Sequence, residues 1–201
     1  MRFTRHGILF LISAPSGAGK TTVVQALRKS GKFFYSVSCT TRVPRTGEIN
    51  GEDYRFLSAP DFHARIDAGD FLEHARVHQD FYGTLREPVL TNLQNGVDVL
   101  IDIDTQGAAT IRNCDDAIVR QALADIFIMP PDIEELRRRL TKRGTETAQQ
   151  IESRLATAMR EMELWRDYRY TIVSGSVEED LESVCNIMSA ETFLSGRLRP
   201  I

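Results

Sequence analysis

The sequence predicts an α/β fold, a parallel sheet flanked by helices, and three observations carry that prediction. Short apolar runs at 8–12 (ILFLI), 97–103 (VDVLIDI), 125–129 (DIFIM) and 170–173 (YTIV) have the length of buried strands. Segments of helical period separate them, and that alternation builds a parallel sheet wrapped by helices. The first run breaks directly into S-A-P-S-G-A-G-K-T-T at 13–22, a strand feeding a glycine-rich turn and then a helix.

The bulk properties set limits. At 201 residues and 42% hydrophobic content the chain suits one domain with a sizeable core. A formal charge of −3 leaves no global footprint for nucleic acid or an anionic membrane, so an anion must be caught by local basic groups. Cys39, Cys114 and Cys185 are odd in number and lack metal-ligand spacing, the pattern of reduced thiols in a cytoplasmic protein, so neither a disulfide nor zinc is expected. Arg2, Arg5 and His6 ahead of ILFLI imitate a secretion signal, but the apolar run is shorter than the usual stretch of about 7 to 15 residues. It reads as the first buried strand, and no other segment approaches the roughly 18 apolar residues of a membrane span.

Taken in order, the loop after the first strand gathers backbone N–H groups around an anion at the positive end of a helix. Gly17 and Gly19 let the backbone approach, Lys20 is placed to reach outer phosphates, and Thr21 offers a hydroxyl to Mg2+. Val23, Val24, Ala26 and Leu27 pack the helix on the sheet. The pattern G-x-x-x-x-G-K-[ST] has Ala14 at its first glycine, acceptable where φ stays negative. Alone, the loop implies a nucleoside triphosphate held by Ala14, Pro15, Ser16, Gly17, Ala18, Gly19, Lys20, Thr21 and Thr22.

Residues 35 to about 82 read as an inserted lobe, with YSVSCTTR and EDYRFLS as strands bracketing a polar turn that contains Pro44, Gly47 and Gly51. Arg42 and Arg45 flank Pro44, and like charges held together in a stiffened turn suit a shared doubly charged anion. As a pair alone they read more readily as two solvated loop arginines, and the surrounding pattern reverses that. Tyr54 and Tyr82 add hydroxyl donors. Asp102 and Asp104 fall on one side of a strand at its end, where ligands of open parallel sheets sit. Residues 132–143 and 147–165 are predicted helices around a Gly144 hinge. Arg139 and Arg143 share one helix face, and Arg154 lies beyond the hinge. Met159, Met162 and Trp165 fall on helical spacing and read as core, whereas His63, His74 and His78 read as surface or packing residues. A helix over 176–194 opens on Ser176 followed by acidic residues. The ends, 1–6 and 195–201, are expected to fray.

Residues 8 to about 190 resemble a guanylate kinase, the enzyme that moves the terminal phosphate of ATP to GMP. The resemblance rests on S-A-P-S-G-A-G-K-T at 13–21, T-T-R-x-P-R-x-G-E-x-x-G-x-D-Y at 40–54, F-L-E-H-A at 71–75, Y-G-T at 82–84, D-I-D-x-Q-G at 102–107 and R-R-L-x-x-R-G-T at 138–145. It implies a P-loop kinase fold with a core (1–34, 84–138, 155–201), an inserted mixed α/β lobe for GMP (35–83) and a helical lid (139–154). It further implies a GMP site of Ser38, Arg42, Arg45, Tyr54, Glu73, Tyr82, Gly83 and Thr84, with Asp104 and Gln106 facing the acceptor.

The chemistry agrees. Guanine presents a ring N–H and an amine on one edge, which the Glu73 carboxylate can accept together, while its carbonyl takes hydrogen bonds from hydroxyls such as Ser38 or Thr84. Asp102 is expected to hold the water shell of Mg2+ beside Thr21. Lys20, Arg42, Arg139, Arg143 and Arg154 would neutralise charge on the moving phosphoryl group. One departure is V-S-G-S at 173–176, where the family often carries asparagine and aspartate near adenine, so the donor-base contacts stay open.

The expected activity is ATP- and Mg2+-dependent phosphorylation of GMP, and of dGMP, in purine nucleotide metabolism. The partners are then the two small-molecule substrates, GMP and ATP, without nucleic acid, membrane or an obligate protein partner. Two other readings are a catalytically silent phosphopeptide-binding module of the same family and a related kinase acting on a sugar phosphate. Lys20, Thr21 and the lid arginines speak against the first, Glu73 and Ser38 against the second.

Overall fold

A computed structural model describes residues 2–77, 79–143 and 147–200; His78, Gly144, Thr145 and the side chain of Arg143 lie outside the described residues. The chain opens with β1 (Phe3–Arg5) and β2 (Leu9–Ser13), and the glycine-rich loop then leads into α1 (Lys20–Arg28). Next come β3 (Phe34–Tyr35), β4 (Cys39–Thr40), β5 (Arg55–Phe56), α2 (Ala59–Asp67), β6 (Phe71–Val77), β7 (Asp80–Leu85) and α3 (Arg86–Gln94). The chain returns through β8 (Val99–Asp102), α4 (Thr105–Arg112), α5 (Ala117–Ala122) and β9 (Leu123–Met129). It ends with α6 (Ile133–Arg143), α7 (Ala148–Met162), β10 (Tyr170–Val173), α8 (Val177–Thr192) and β11 (Leu198–Pro200).

The main sheet runs β10-β9-β2-β8-β3, with every pairing parallel. A parallel sheet is covered on both faces, which is why its strands read as unbroken apolar runs. Alternate residues of β2 supply the two faces. Ile8, Phe10 and Ile12 pack with Val23, Val24 and Leu27 of α1 and Val184 of α8. Leu9 and Leu11 pack with Val89 and Leu93 of α3, Ile111 of α4 and Val119 of α5. The register Ile12↔Asp102 brings the ends of β2 and β8 together beneath the loop.

The inserted lobe carries a second sheet, β5-β4-β7-β6, around Cys39, Phe62 and Phe71. Its hairpin, β6 with β7, is not foreseen by the sequence reading, which treats 71–75 and 82–84 only as motifs. An irregularity between Phe71 and Glu73 shifts the register so that Glu73 stands opposite Thr84 and His74 opposite Gly83. His63 is exposed and meets the edge of Phe81, with ring centroids 5.0 Å apart.

Two expectations are corrected. The ends are not loose: β1 pairs antiparallel with β11, from Phe3↔Pro200 to Arg5↔Leu198. The anchor is Arg197, which is buried, ion-paired with the buried Glu191, and donates to the Gln121 and Ala122 carbonyls at 3.0 Å each. Met159 and Trp165, expected in the core, are 56% and 38% exposed. The inward stripe of α7 is Ile151, Leu155 and Ala158, packed on Leu136 and Leu140 of α6, so Met159 falls one step off that face. Helix starts follow expectation: Ser176 and Glu179 form a capping box on α8, and Thr147 and Gln150 form one on α7.

Removing one member of a buried ion pair strands the other charge. Glu191→Ala is therefore expected to lower unfolding free energy by about 3 to 5 kcal/mol, read by urea denaturation. A loss below about 1 kcal/mol would mean that the pair does not clamp the C-terminal strand.

Candidate active site

Gly17 and Gly19 adopt φ of 92° and 105°, a left-handed conformation that disfavours any side chain. At Gly17 packing adds a second requirement, because a Cβ there would lie 2.7 Å from a Leu140 methyl of α6. Ala14, standing where the loop pattern has glycine, is buried in the cluster between β2 and α1. Lys20 begins α1, is ion-paired with Asp102 and donates to the Ile103 carbonyl at 3.2 Å. Thr21 is exposed.

Two adjoining cavities open beside this loop. One, of about 340 Å³, is lined by Ser16, Lys20 and Thr21 together with Ser38, Glu73, Tyr82, Gly83 and Asp104. Its neighbour, of about 300 Å³, is lined by Arg28, Arg42, Arg45 and Glu48. Thr21, Tyr54, Tyr82 and Asp102 line both.

The first cavity has acidic residues in its lining. Glu73 is only 5% exposed and its Oε1 accepts from the Thr84 hydroxyl at 2.7 Å. Burial pushes its carboxyl up to about 7; the Thr84 hydroxyl opposes the rise and the charge of Asp104 adds to it. Gly107 makes room for it, since a Cβ there would stand 2.7 Å from Oε2. Asp104, expected on the side of a strand, lies past the end of β8 and caps α4, accepting the Gly107 N–H at 2.8 Å. Thr84 is fully buried with its hydroxyl committed to Glu73, and Gln106 is exposed on the first turn of α4.

The second cavity is basic but internally matched. Arg42 makes a two-toothed pair with Glu48 through Nη2, at 2.7 and 3.0 Å, and its guanidinium lies 5.3 Å from the Tyr54 ring centroid. Glu48 also accepts the Arg45 N–H at 2.7 Å, and the Arg42 guanidinium holds its carboxyl below the usual range.

Of the predicted lid arginines, Arg139 packs against the loop. Its Nη1 donates to the Ala18 carbonyl at 2.7 Å and the Ser174 hydroxyl at 3.0 Å, while Nε holds Glu135 at 2.7 Å. The V-S-G-S turn after β10 is closed by Asp180, which accepts from the Ser174 hydroxyl at 2.6 Å and the Gly175 N–H at 2.9 Å. Arg154 is half-buried on α7, and the Arg143 side chain is outside the described residues.

The sequence reading missed two carboxylates. Glu48 sits three residues beyond Arg45 inside a quoted motif, a spacing that would have flagged it. Glu161, on α7, accepts the Ser16 N–H at 3.1 Å and faces the Thr105 hydroxyl at 3.4 Å; burial pushes its carboxyl up, opposed by the Ser16 N–H. Nothing local in the sequence announces that contact.

Comparison with known proteins bears on this arrangement. A family model described as guanylate kinase matches residues 7–191. A guanylate kinase of Wolbachia sp. subsp. Brugia malayi (strain TRS) is 41% identical over 192 residues, covering 95% of this chain and 96% of its own. Another, from Paramagnetospirillum magneticum, is 42% identical over 195 residues, covering 96% and 89%. The crystal structure of guanylate kinase from Anaplasma phagocytophilum superposes with a TM-score of 0.81 at 34% identity, covering 98% of this chain and 92% of that one. A gluconokinase from Sinorhizobium meliloti 1021 shares the fold alone, with a TM-score of 0.52 at 16% identity over 93% of this chain and 94% of its own.

The setting of Glu73 can be measured directly. A side-chain carbon NMR titration is expected to place its midpoint at about 7. Thr84→Val, which deletes a donor that favours the ionised form, should move the midpoint higher; a midpoint in the ordinary carboxylate range would contradict this account of its burial.

Proposed function

The chain belongs to the guanylate kinase family and phosphorylates GMP to GDP at the expense of ATP, and from that premise we propose which residues perform each part. One observation carries the assignment: a glycine-rich loop with Lys20 and Thr21 lines the same cavity as a buried carboxylate, Glu73, and an arginine-lined cavity adjoins it.

Residues 14–22 take the ATP phosphates on backbone N–H groups, with Lys20 reaching the outer ones. The guanine base enters the first cavity, where Glu73 accepts its ring N–H and amine and Ser38 donates to its carbonyl. Thr84 serves the base through Glu73, because its hydroxyl already points at that carboxylate. The GMP phosphate lies in the second cavity against Arg42, Arg45, Tyr54 and Tyr82, where it replaces Glu48 on the Arg42 fork. Since these contacts are to base and phosphate, dGMP is a second acceptor.

Mg2+ fits the residues present. The Thr21 hydroxyl and the Asp102 carboxylate are hard oxygen donors on the wall common to both cavities. This ion is ordinarily held by one or two protein oxygens plus substrate phosphates and water. When bound it neutralises phosphate charge and orients the donor. For Asp102 to take part it must share or release Lys20, and the incoming ATP phosphates are what draw Lys20 away.

Transfer needs no protein nucleophile, because a GMP phosphate oxygen attacks the terminal phosphorus in line as the bond from that phosphorus to the β-phosphate oxygen breaks, its electron pair leaving with ADP. The chain's contribution is alignment and charge: Lys20 and Arg42 from the core and lobe, Arg139, Arg143 and Arg154 from the lid. Arg139 reaches the phosphoryl group only by exchanging the Ala18 carbonyl for a phosphate oxygen. In this reading the lobe (35–83) and lid (139–154) close over the core and exclude water, which prevents wasteful hydrolysis. The reaction belongs to purine nucleotide metabolism in the cytoplasm. No helix among the described residues is long and apolar enough to cross a membrane.

The test is ADP formation with a panel of GMP, dGMP, AMP and a sugar phosphate. Turnover with the guanine nucleotides alone is expected; equal turnover with AMP would remove Glu73 as the selector. Lys20→Ala should lower kcat by at least about 100-fold while GMP still binds by calorimetry, and near-normal turnover would undo the donor assignment.

The pH dependence has a definite sign. Below a carboxyl midpoint of about 7, Glu73 is protonated and no longer offers two acceptors to the guanine donors. KM for GMP should therefore rise as pH falls below that midpoint, approaching roughly tenfold per unit, with no Glu73 contribution well above it. The phosphate monoester of GMP itself titrates at about pH 6. Glu73→Gln should abolish the dependence near 7 and retain the one near 6; a profile unchanged by the substitution would exclude Glu73 as its source.

A further inference from the structure

One carboxylate joins three parts of the molecule that phosphoryl transfer must hold in register. Glu161 lies on α7 seven residues after Arg154, close to two full turns, so both fall on the same helix face. Its Oε2 accepts the N–H of Ser16, at 3.1 Å, in the phosphate loop. Its Oε1 faces the hydroxyl of Thr105, at 3.4 Å, the buried first residue of α4. Ser16 and Asp104, which precedes Thr105, both line the cavity that holds Glu73.

The location is unfavourable for a carboxylate whose only task is packing. Glu161 is half-buried and shares the start of α4 with the Asp104 carboxylate, so desolvation and like charge both oppose its ionised form. Nor is it needed to dock its helix, because Leu155 and Ala158 already bury α7 against Leu136 and Leu140 of α6.

We propose that Glu161 is a positioning residue for phosphoryl transfer, tying the phosphate loop to α4 and to the lid helix so that donor and acceptor stand at reacting distance. It acts through Ser16 and Thr105 and touches neither nucleotide. The inference rests on the guanylate kinase reading above. Binding of each substrate is left to other groups, Glu73 and Arg42 for GMP and the rest of the loop for ATP. Loss of Glu161 therefore falls on kcat, where a misplacement of about 1 Å costs on the order of 100-fold.

The test uses the full chain with Glu161→Ala, Glu161→Gln and Thr105→Val, steady-state kinetics in ATP and GMP, and thermal unfolding. Glu161→Ala is expected to lower kcat by about 30- to 100-fold with KM for GMP within about twofold of the parent. Glu161→Gln keeps an oxygen for the Ser16 N–H and should recover kcat to within about fivefold of the parent. Adding Thr105→Val to Glu161→Ala should cost little more than Glu161→Ala alone, since the two act as one bridge. The inference is overturned if Glu161→Ala keeps kcat within about twofold of the parent, if its rate loss only follows its unfolding curve, or if glutamine rescues no better than alanine. Failure of the parent protein to turn over GMP would sink the guanylate kinase reading instead, so the two failures are distinguishable.

Discussion

A cleft that collects phosphate groups must keep cations and N–H donors at partly buried positions, where an unmatched charge is costly. The rest of this site depends on how that cost is met: several of its donors are paired with carboxylates of the chain itself. Lys20 has Asp102, the Arg42 fork and the Arg45 N–H share Glu48, the Ser16 N–H has Glu161, and Arg139 has Glu135. A phosphate therefore enters by exchange and gains only the difference between its own contacts and those it replaces. A lone carboxylate in solution offers nothing better than what is present, whereas a doubly charged phosphate that spans two donors does. The internal partners thus act as a threshold on the charge and shape of the ligand.

In the proposed site the acceptor base is handled by the opposite arrangement. Among the described residues no cation is ion-paired with Glu73; it is kept by geometry, between the Thr84 hydroxyl and the backbone of Gly107. A cation there would compete with guanine for the carboxylate, so its omission leaves both oxygens for neutral N–H donors. The consequence is a carboxyl raised to about 7. Under the proposed assignment, recognition of guanine and sensitivity to pH are two results of one burial. The shift in register between Phe71 and Glu73 is what aims this side chain across the hairpin at Thr84.

The core strands and the phosphate loop were legible because their signals are local: unbroken apolar runs, and glycines where φ is positive. The hairpin of β6 and β7 was not, because its burial does not alternate. Phe71, Leu72 and Glu73 are all buried in succession, and a buried glutamate erases the pattern that would mark a strand. The joined ends were hidden for another reason, since β1 and β11 find each other only through the folded core and the Arg197 anchor. Asp104 looked like a strand-side acid because a period of two continues past Asp102 in sequence; the chain instead turns there, and the same residue becomes a helix cap. The family resemblance supplied Ser38 and Glu73, but no motif names the 145-residue reach from Ser16 to Glu161.

That long contact changes how the molecule divides. The sequence suggests a core, a lobe and a lid as three parts, yet α6 and α7 both bear on the phosphate loop. Leu140 and Leu136 close over Gly17, Arg139 holds the Ala18 carbonyl, and Glu161 holds the Ser16 N–H. The two helices also bury Leu136, Leu140, Leu155 and Ala158 between them. These contacts tie α6 and α7 to the donor loop in this structure, and Arg139 is referenced to that loop. The arginines on the lobe, Arg42 and Arg45, are referenced to the acceptor through Glu48 and Tyr54. The division that matters for transfer is therefore between a donor half and an acceptor half, and the wall of Thr21, Tyr54, Tyr82 and Asp102 is where they meet.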